Sequence, residues 1–239
     1  MKTVVVTGAS RGLGLAIAAR LARDGYRVVG LSRTLSEGFQ ALIDGDPGSI
    51  VYRQLDISDI PAISGIARAV VKEHGPIYGL VNNAGASVDG VLATMHQSDI
   101  ERVIATNLIG PITLTKFVLR SMLAKGEGRI VNISSIGAST GYHGLSVYAA
   151  SKAGLEGFTR ALAREAGKRR VTVNCVAPGY MATEMTAGLS GARLESVLRR
   201  SPLGPPKPEQ VAASVAYLLH EDAASVTGAV LTVDGGSSA

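Results

Sequence analysis

Thr3-Val4-Val5-Val6-Thr7-Gly8-Ala9-Ser10-Arg11-Gly12-Leu13-Gly14 joins a short apolar run to a turn with three glycines and the start of a helical period. The run Thr3–Thr7 has no polar alternation, the pattern of a strand covered on both faces. Beyond the turn, Leu13, Ile17 and Leu21 form one apolar stripe, which predicts a helix over Gly12–Arg23. Between the two elements the chain must turn sharply and bring backbone N–H groups close to whatever binds at the helix N-terminus. Glycine permits both. The spacing is G-x-x-x-G-x-G rather than G-x-G-x-x-G, but its place directly after a first strand is that of a dinucleotide-binding turn. Gly8, Ser10, Arg11, Gly12, Leu13 and Gly14 are candidate cofactor-binding residues on this ground.

The same alternation continues outward. Strands are expected at Arg27–Leu31, Ile50–Leu55, Ile77–Val81, Arg129–Ser134, Val171–Ala177 and Ala229–Val233. Helices are expected at Ser36–Asp44, Ile60–Glu73, Val147–Gly167, Ala187–Arg199 and Pro208–Leu219, with a long stretch over Asp99–Ala124 that Pro111 bends or splits. Strands alternating with helices imply βαβ units and right-handed crossovers. The fold class is therefore α/β, a Rossmann-like doubly wound parallel sheet with helices on both faces. No composition break marks a linker, and the Pro-rich stretch 201–208 is too short to separate domains, so residues 1–239 read as a single domain.

Composition excludes several classes. Hydrophobic residues make up 46% of the 239, ample for a buried core and far from a disordered composition. The net charge of +5 is dispersed, and its longest basic run is Lys168-Arg169-Arg170. No nucleic-acid partner is expected without a basic stripe or motif. The lone Cys175 lies in an apolar run and forms no intrachain disulfide, which suits a reducing compartment. The N-terminal apolar run is too short for a signal peptide, and no apolar segment is expected to approach the ~18 residues of a membrane span. A cytoplasmic protein without a membrane partner is expected. His74, His96 and His220 lack metal-ligand spacing, so no metal is expected.

The end of the second strand reads Leu31-Ser32-Arg33, without the carboxylate that would bind a ribose 2′-hydroxyl. Arg33 and Arg11 suit a 2′-phosphate instead, which favours NADP(H) over NAD(H). A solvated loop charge is the plainer reading of Arg33. Tyr148 and Lys152 stand four residues apart on one face of a predicted helix. A tyrosine ordinarily titrates near 10, and a neighbouring ammonium lowers that, making a usable acid–base pair. Ser135 closes a strand at the sheet edge where open α/β sheets bind ligands, within reach of a carbonyl near Tyr148. Asn82-Asn83-Ala84-Gly85 ends another strand at that edge. Asn107 interrupts the long helical stretch, where a polar residue suggests a local kink or a bound water.

With these residues in place, the sequence resembles the short-chain dehydrogenase/reductase family. Thr7-Gly8-x-x-x-Gly12-x-Gly14 is similar to its cofactor turn, and Asn83, Ala84 and Gly85 to its sheet-edge motif. Asn107, Ser135, Tyr148 and Lys152 fall where its catalytic tetrad falls. Pro178, Gly179 and Thr183 resemble the segment at the nicotinamide end. Asp56, with Ile57 beside it, lies where the family binds the adenine amino group. Within the family the chain is most similar to the 3-oxoacyl-[acyl-carrier-protein] reductases, on Tyr148-Ala-Ala-Ser-Lys-Ala-Gly-Leu, Val176-Ala-Pro-Gly and Thr183-Glu-Met-Thr. That resemblance implies reduction of a carrier-bound or small-molecule 3-oxoacyl substrate with NADPH, a homotetramer paired through its long helices, and acyl carrier protein docking near Arg169. The segment 180–200, with Gly188, Ser190 and Gly191, reads as a lid. The residues alone leave open another ketone or secondary alcohol, such as a sugar, polyketide or 3-hydroxyacyl-CoA. They also leave open a nucleotide sensor without turnover.

Overall fold

The computed structural model describes residues 1–183, 186 and 190–239. Seven strands form one parallel sheet: β1 (Thr3–Thr7), β2 (Arg27–Ser32), β3 (Ile50–Gln54), β4 (Ile77–Asn82), β5 (Gly128–Ile133), β6 (Val171–Pro178) and β7 (Val230–Val233), in the order β3-β2-β1-β4-β5-β6-β7. The chain winds outward from β1 to β3, then crosses back to place β4 beside β1. The order reverses there, and a crevice opens at the C-terminal ends of β1 and β4.

Both faces of the sheet are covered, as the continuous apolar strands require. Val4 and Val6 of β1 join a cluster with Ile17 and Leu21 of α1 (Gly12–Arg23), Phe39 of α2 (Glu37–Gly45), and Val211 and Val215 of α9 (Pro208–Leu219). Val5, between them, faces the other way. It joins Ile63 and Val70 of α3 (Ile60–His74), Leu114 and Val118 of α5 (Gly110–Lys125), and Leu162 of α7 (Ser146–Ala166). A strand alternates its side chains between faces, so one valine run feeds two cores. Each fully buried aliphatic side chain stabilises the fold by about 1.5–3 kcal/mol.

The remaining helices are α4 (Gln97–Ile104), the single turn α6 (Gly137–Thr140) and α8 (Gly191–Arg199). The expected helix over Ala187–Arg199 is found from Gly191. Ala187 to Leu189, and Gly188 of the expected lid, lie outside the described residues. The long stretch runs unbroken over Gln97–Lys125, because a π-helical turn, Ala105–Ile109, joins α4 to α5. Pro111 has no N–H to donate one turn back, and a widened turn accommodates that loss without breaking the helix. By length and mean hydropathy, 1.2, this helix would suffice to cross a membrane, which corrects the sequence expectation. Its α5 half instead packs Leu114, Val118 and Met122 into the core.

Candidate active site

The crevice between β1 and β4 is stitched shut at its base. The Thr7 hydroxyl accepts from the amides of Asn83 (3.0 Å) and Ala84 (2.9 Å). Asn83 Nδ2 donates to the carbonyls of Thr7 (2.9 Å) and Gly8 (3.3 Å). The Asn83 amide nitrogen thus holds the turn rather than a ligand. Gly8 has φ 65°, a conformation that favours glycine. Gly14 is required by contact: a Cβ there would stand 2.0 Å from the Gly8 carbonyl oxygen. The Ser36 hydroxyl donates to the Ser10 carbonyl and accepts from the Phe39 amide, which ties the turn to the capped start of α2.

Among the described residues no side chain caps the N-terminus of α1, and its first turn holds no acidic residue. Its positive end is left for an anion. Thr183 faces it, with Cγ2 3.8 Å from where a Gly12 Cβ would stand. At the far side of the crevice, past β2, Arg33 is exposed. Burial pushes the Asp56 carboxyl up, but the hydroxyl (2.7 Å) and amide (2.9 Å) of Ser58, with the Arg33 charge, hold it below its ordinary value. Arg33 and Asp56 therefore share one corner, and Ile57 beside them is buried. The uncapped helix end and the Arg33–Asp56 corner opposite it fit a dinucleotide.

The second half of the site lies beyond β5. Lys152 is 4% exposed, and its Nζ donates to the Ile133 carbonyl (2.8 Å). It stands 5.8 Å from the centroid of the Tyr148 ring. Burial lowers the Lys152 ammonium to about 8. Burial raises the Tyr148 phenol above its ordinary value, and a hydrogen bond with Ser135 opposes that rise. A neighbouring ammonium alone would bring the phenol down, but in the folded chain desolvation prevails. Ser135 Oγ is oriented by accepting from the Gly137 amide (3.1 Å).

Asn107 occupies the π turn and is fully buried. Its Nδ2 donates to the Ala86 carbonyl (2.9 Å) and to Ser151 Oγ (3.0 Å), and its Oδ1 accepts from the Ala86 amide (2.8 Å). The irregularity at Asn107 is this π turn, and the side chain ties the segment after Gly85 to α7. Ser151 itself escaped the sequence reading. It donates to the Tyr148 carbonyl (2.6 Å) and accepts from Asn107. Its position three residues after Tyr148, on the same helix face, was the available signal.

β6 completes the edge. The Pro178 carbonyl accepts from the Ile136 amide (3.1 Å), and the Gly179 amide donates to Val233 (2.9 Å). Glu184 and Met185 of the 183–186 motif lie outside the described residues. Arg169 stands at the other end of the molecule, past the C-terminus of α7 and roughly 30 Å from Tyr148 by helical rise. Its Nε and Nη2 donate to the Leu123 carbonyl at the end of α5 (3.0 and 2.7 Å).

The model of the short chain dehydrogenase family matches residues 2–193. The chain belongs to this family. The dehydrogenase is 41% identical over 238 residues to the 3-oxoacyl-[acyl-carrier-protein] reductase FabG of Vibrio cholerae, covering 98% of this chain and 96% of that one. It is 40% identical over 238 residues to the 3-oxoacyl-[acyl-carrier-protein] reductase MabA of Mycobacterium tuberculosis, covering 98% and 92%. Among solved structures, an actinorhodin polyketide ketoreductase variant with NADPH superposes with a TM-score of 0.89 at 37% identity, covering 99% of this chain and 97% of that one. The seven-stranded parallel sheet and the crevice at its reversal are thus a fold this chain shares with that structure.

Proposed function

We propose that this dehydrogenase reduces the 3-oxo group of an acyl thioester with NADPH. The observation that carries the reading is the meeting of Ser135, Tyr148 and Lys152 at the sheet edge beside an uncapped, glycine-lined helix N-terminus. The likeness to FabG and MabA supports the substrate class. The Gly8–Gly14 turn and α1 hold the pyrophosphate, Arg33 the 2′-phosphate, and Asp56 with Ile57 the adenine. Asn83, Ala84 and Gly85 line the cofactor along the sheet edge, and Pro178, Gly179 and Thr183 line the nicotinamide end. NADPH supplies the hydride. Ser135 holds the carbonyl oxygen, and Tyr148 delivers a proton to that oxygen as negative charge develops on it. Lys152 keeps positive charge beside the phenol. Asn107 fixes α7 against the segment after Gly85.

The same reading includes an acidic carrier protein docking near Arg169, assembly as a homotetramer and a cytoplasmic location. A second reading, reduction of a polyketide thioester, draws on the fit to the actinorhodin ketoreductase. It shares the chemistry and differs in acyl length. The test is initial rates of NADPH and NADH oxidation with acetoacetyl-CoA. Oxidation is expected with NADPH and much more slowly with NADH. Equal rates would remove the role given to Arg33. No rate with either, from protein that binds NADPH, would remove the thioester.

A further inference from the structure

We infer that Arg200, stacked on Tyr142 at the substrate side of the site, recognises a phosphate on the arm that carries the ketone. The inference rests on the thioester reading above. Tyr142 belongs to the segment between α6 and α7. A Cβ placed on Gly137 would stand 3.4 Å from Ser135 Oγ, 3.6 Å from Tyr142 Cδ2 and 3.8 Å from Tyr148 Cε1. The Tyr142 ring is therefore a neighbour of both side chains assigned to the ketone oxygen.

Arg200 reaches this ring from the end of α8. Its guanidinium carbon lies 5.3 Å from the ring centroid, within cation–π range. Its Nε donates to the Ser196 carbonyl (3.2 Å), which holds the stem back along the helix. The following residues are anchored: Ser201 is buried, the Gly204 amide donates to the Ser201 carbonyl (2.8 Å), and the Leu203 amide donates to the Gly235 carbonyl (3.1 Å). Arg200 itself is exposed, and among the described residues it takes part in no ion pair.

An exposed guanidinium, tethered through its Nε and set over the Tyr142 ring rather than on Ser135 or Tyr148, suits an anion carried at a distance from the ketone. A neutral ketone offers it nothing. A thioester on a phosphate-bearing arm offers oxygens that match the guanidinium fork.

The experiment compares acetoacetyl-CoA with the phosphate-free acetoacetyl thioester of N-acetylcysteamine. Arg200→Gln should raise KM for the CoA thioester about fivefold, the size of one exposed charged contact. Its kcat, its KM for NADPH and its KM for the phosphate-free thioester should not change. Arg200→Lys should recover part of the loss, and Tyr142→Leu, which removes the support of the guanidinium, should move KM the same way. In the unaltered enzyme, rising salt should raise KM for the CoA thioester only. An equal KM change on both thioesters would overturn the inference. So would an unchanged KM on the CoA thioester, or a salt-independent one should Arg200→Gln fail to fold. An unaltered enzyme that reduced neither thioester but acted on other ketones would overturn the thioester reading itself.

Discussion

Tyr148 is pulled in opposite directions, upward by burial and downward by its hydrogen bond with Ser135, and burial prevails. The phenol then keeps its proton through neutral pH, as a donor to a developing alkoxide must. Lys152 behaves in the opposite sense. Its value falls to about 8, so it is an ammonium below that pH and neutral above it. The charge beside the phenol is present on the acid side and lost as pH rises. The rate of ketone reduction should therefore be level below about 8 and decline above it, in a profile taken at saturating NADPH. Removing the proton donor outright is the sharper change. Tyr148→Phe should lower kcat by at least ~100-fold while NADPH binding, followed by fluorescence, is retained.

At the scale of elements, the cofactor turn works because the first turn of α1 presses directly on Gly8, just past β1, and on Asn83, just past β4. A Cβ on Gly14 would stand 2.0 Å from the Gly8 carbonyl oxygen and 2.6 Å from Asn83 Nδ2. The nearer atom is backbone and cannot rotate aside, so α1 would have to shift. Gly14→Ala should cost about 2 kcal/mol, within the range for overpacking. For a chain of this length that lowers the unfolding midpoint by about 5 °C, measurable by calorimetry, and NADPH affinity should fall with it. This turn was legible in the sequence. So were β1, α1 and α9, whose ends fall where periodicity and the Pro208 start place them. The reason is that an apolar strand, a glycine turn and an apolar stripe are local signals. The π turn at Asn107 was legible only as an irregularity, because a polar residue inside a helix does not say what it bonds. Asn107 meets Ala86 and Ser151, 21 and 44 residues away in sequence. The upward pull on Tyr148 was not legible at all, since helical spacing reports which groups are neighbours and not how deeply they are buried.

Across the whole molecule, one line of buried polar side chains crosses the sheet beneath both halves of the site. Asn82 and Asn132 are partners in the β4–β5 register. Asn82 Nδ2 donates to Asn132 Oδ1 (2.8 Å) and to Thr115 Oγ1 (3.0 Å). Asn132 Nδ2 donates to Thr159 Oγ1 (2.7 Å), which lies 3.1 Å from Cys175 Sγ. The line thus runs from α5 through β4 and β5 to α7 and β6, just below Asn83 and Ser135. Asn132→Leu, similar in size, would leave the Asn82 amide and the Thr159 hydroxyl without this partner inside the core. Each buried group left unsatisfied costs about 1–3 kcal/mol, so a clear fall in the unfolding midpoint is expected. Activity should respond differently. α7 remains held by Lys152 on Ile133 and by Asn107 on Ser151, both independent of Asn132. Below the unfolding range, kcat of Asn132→Leu should stay near that of the unaltered enzyme. Replacing both asparagines by leucine should restore part of the lost stability, because apolar groups on both sides leave less to satisfy. A double variant less stable than the single one, by thermal unfolding of both, would mean that the line is held together elsewhere than at the Asn82–Asn132 pair.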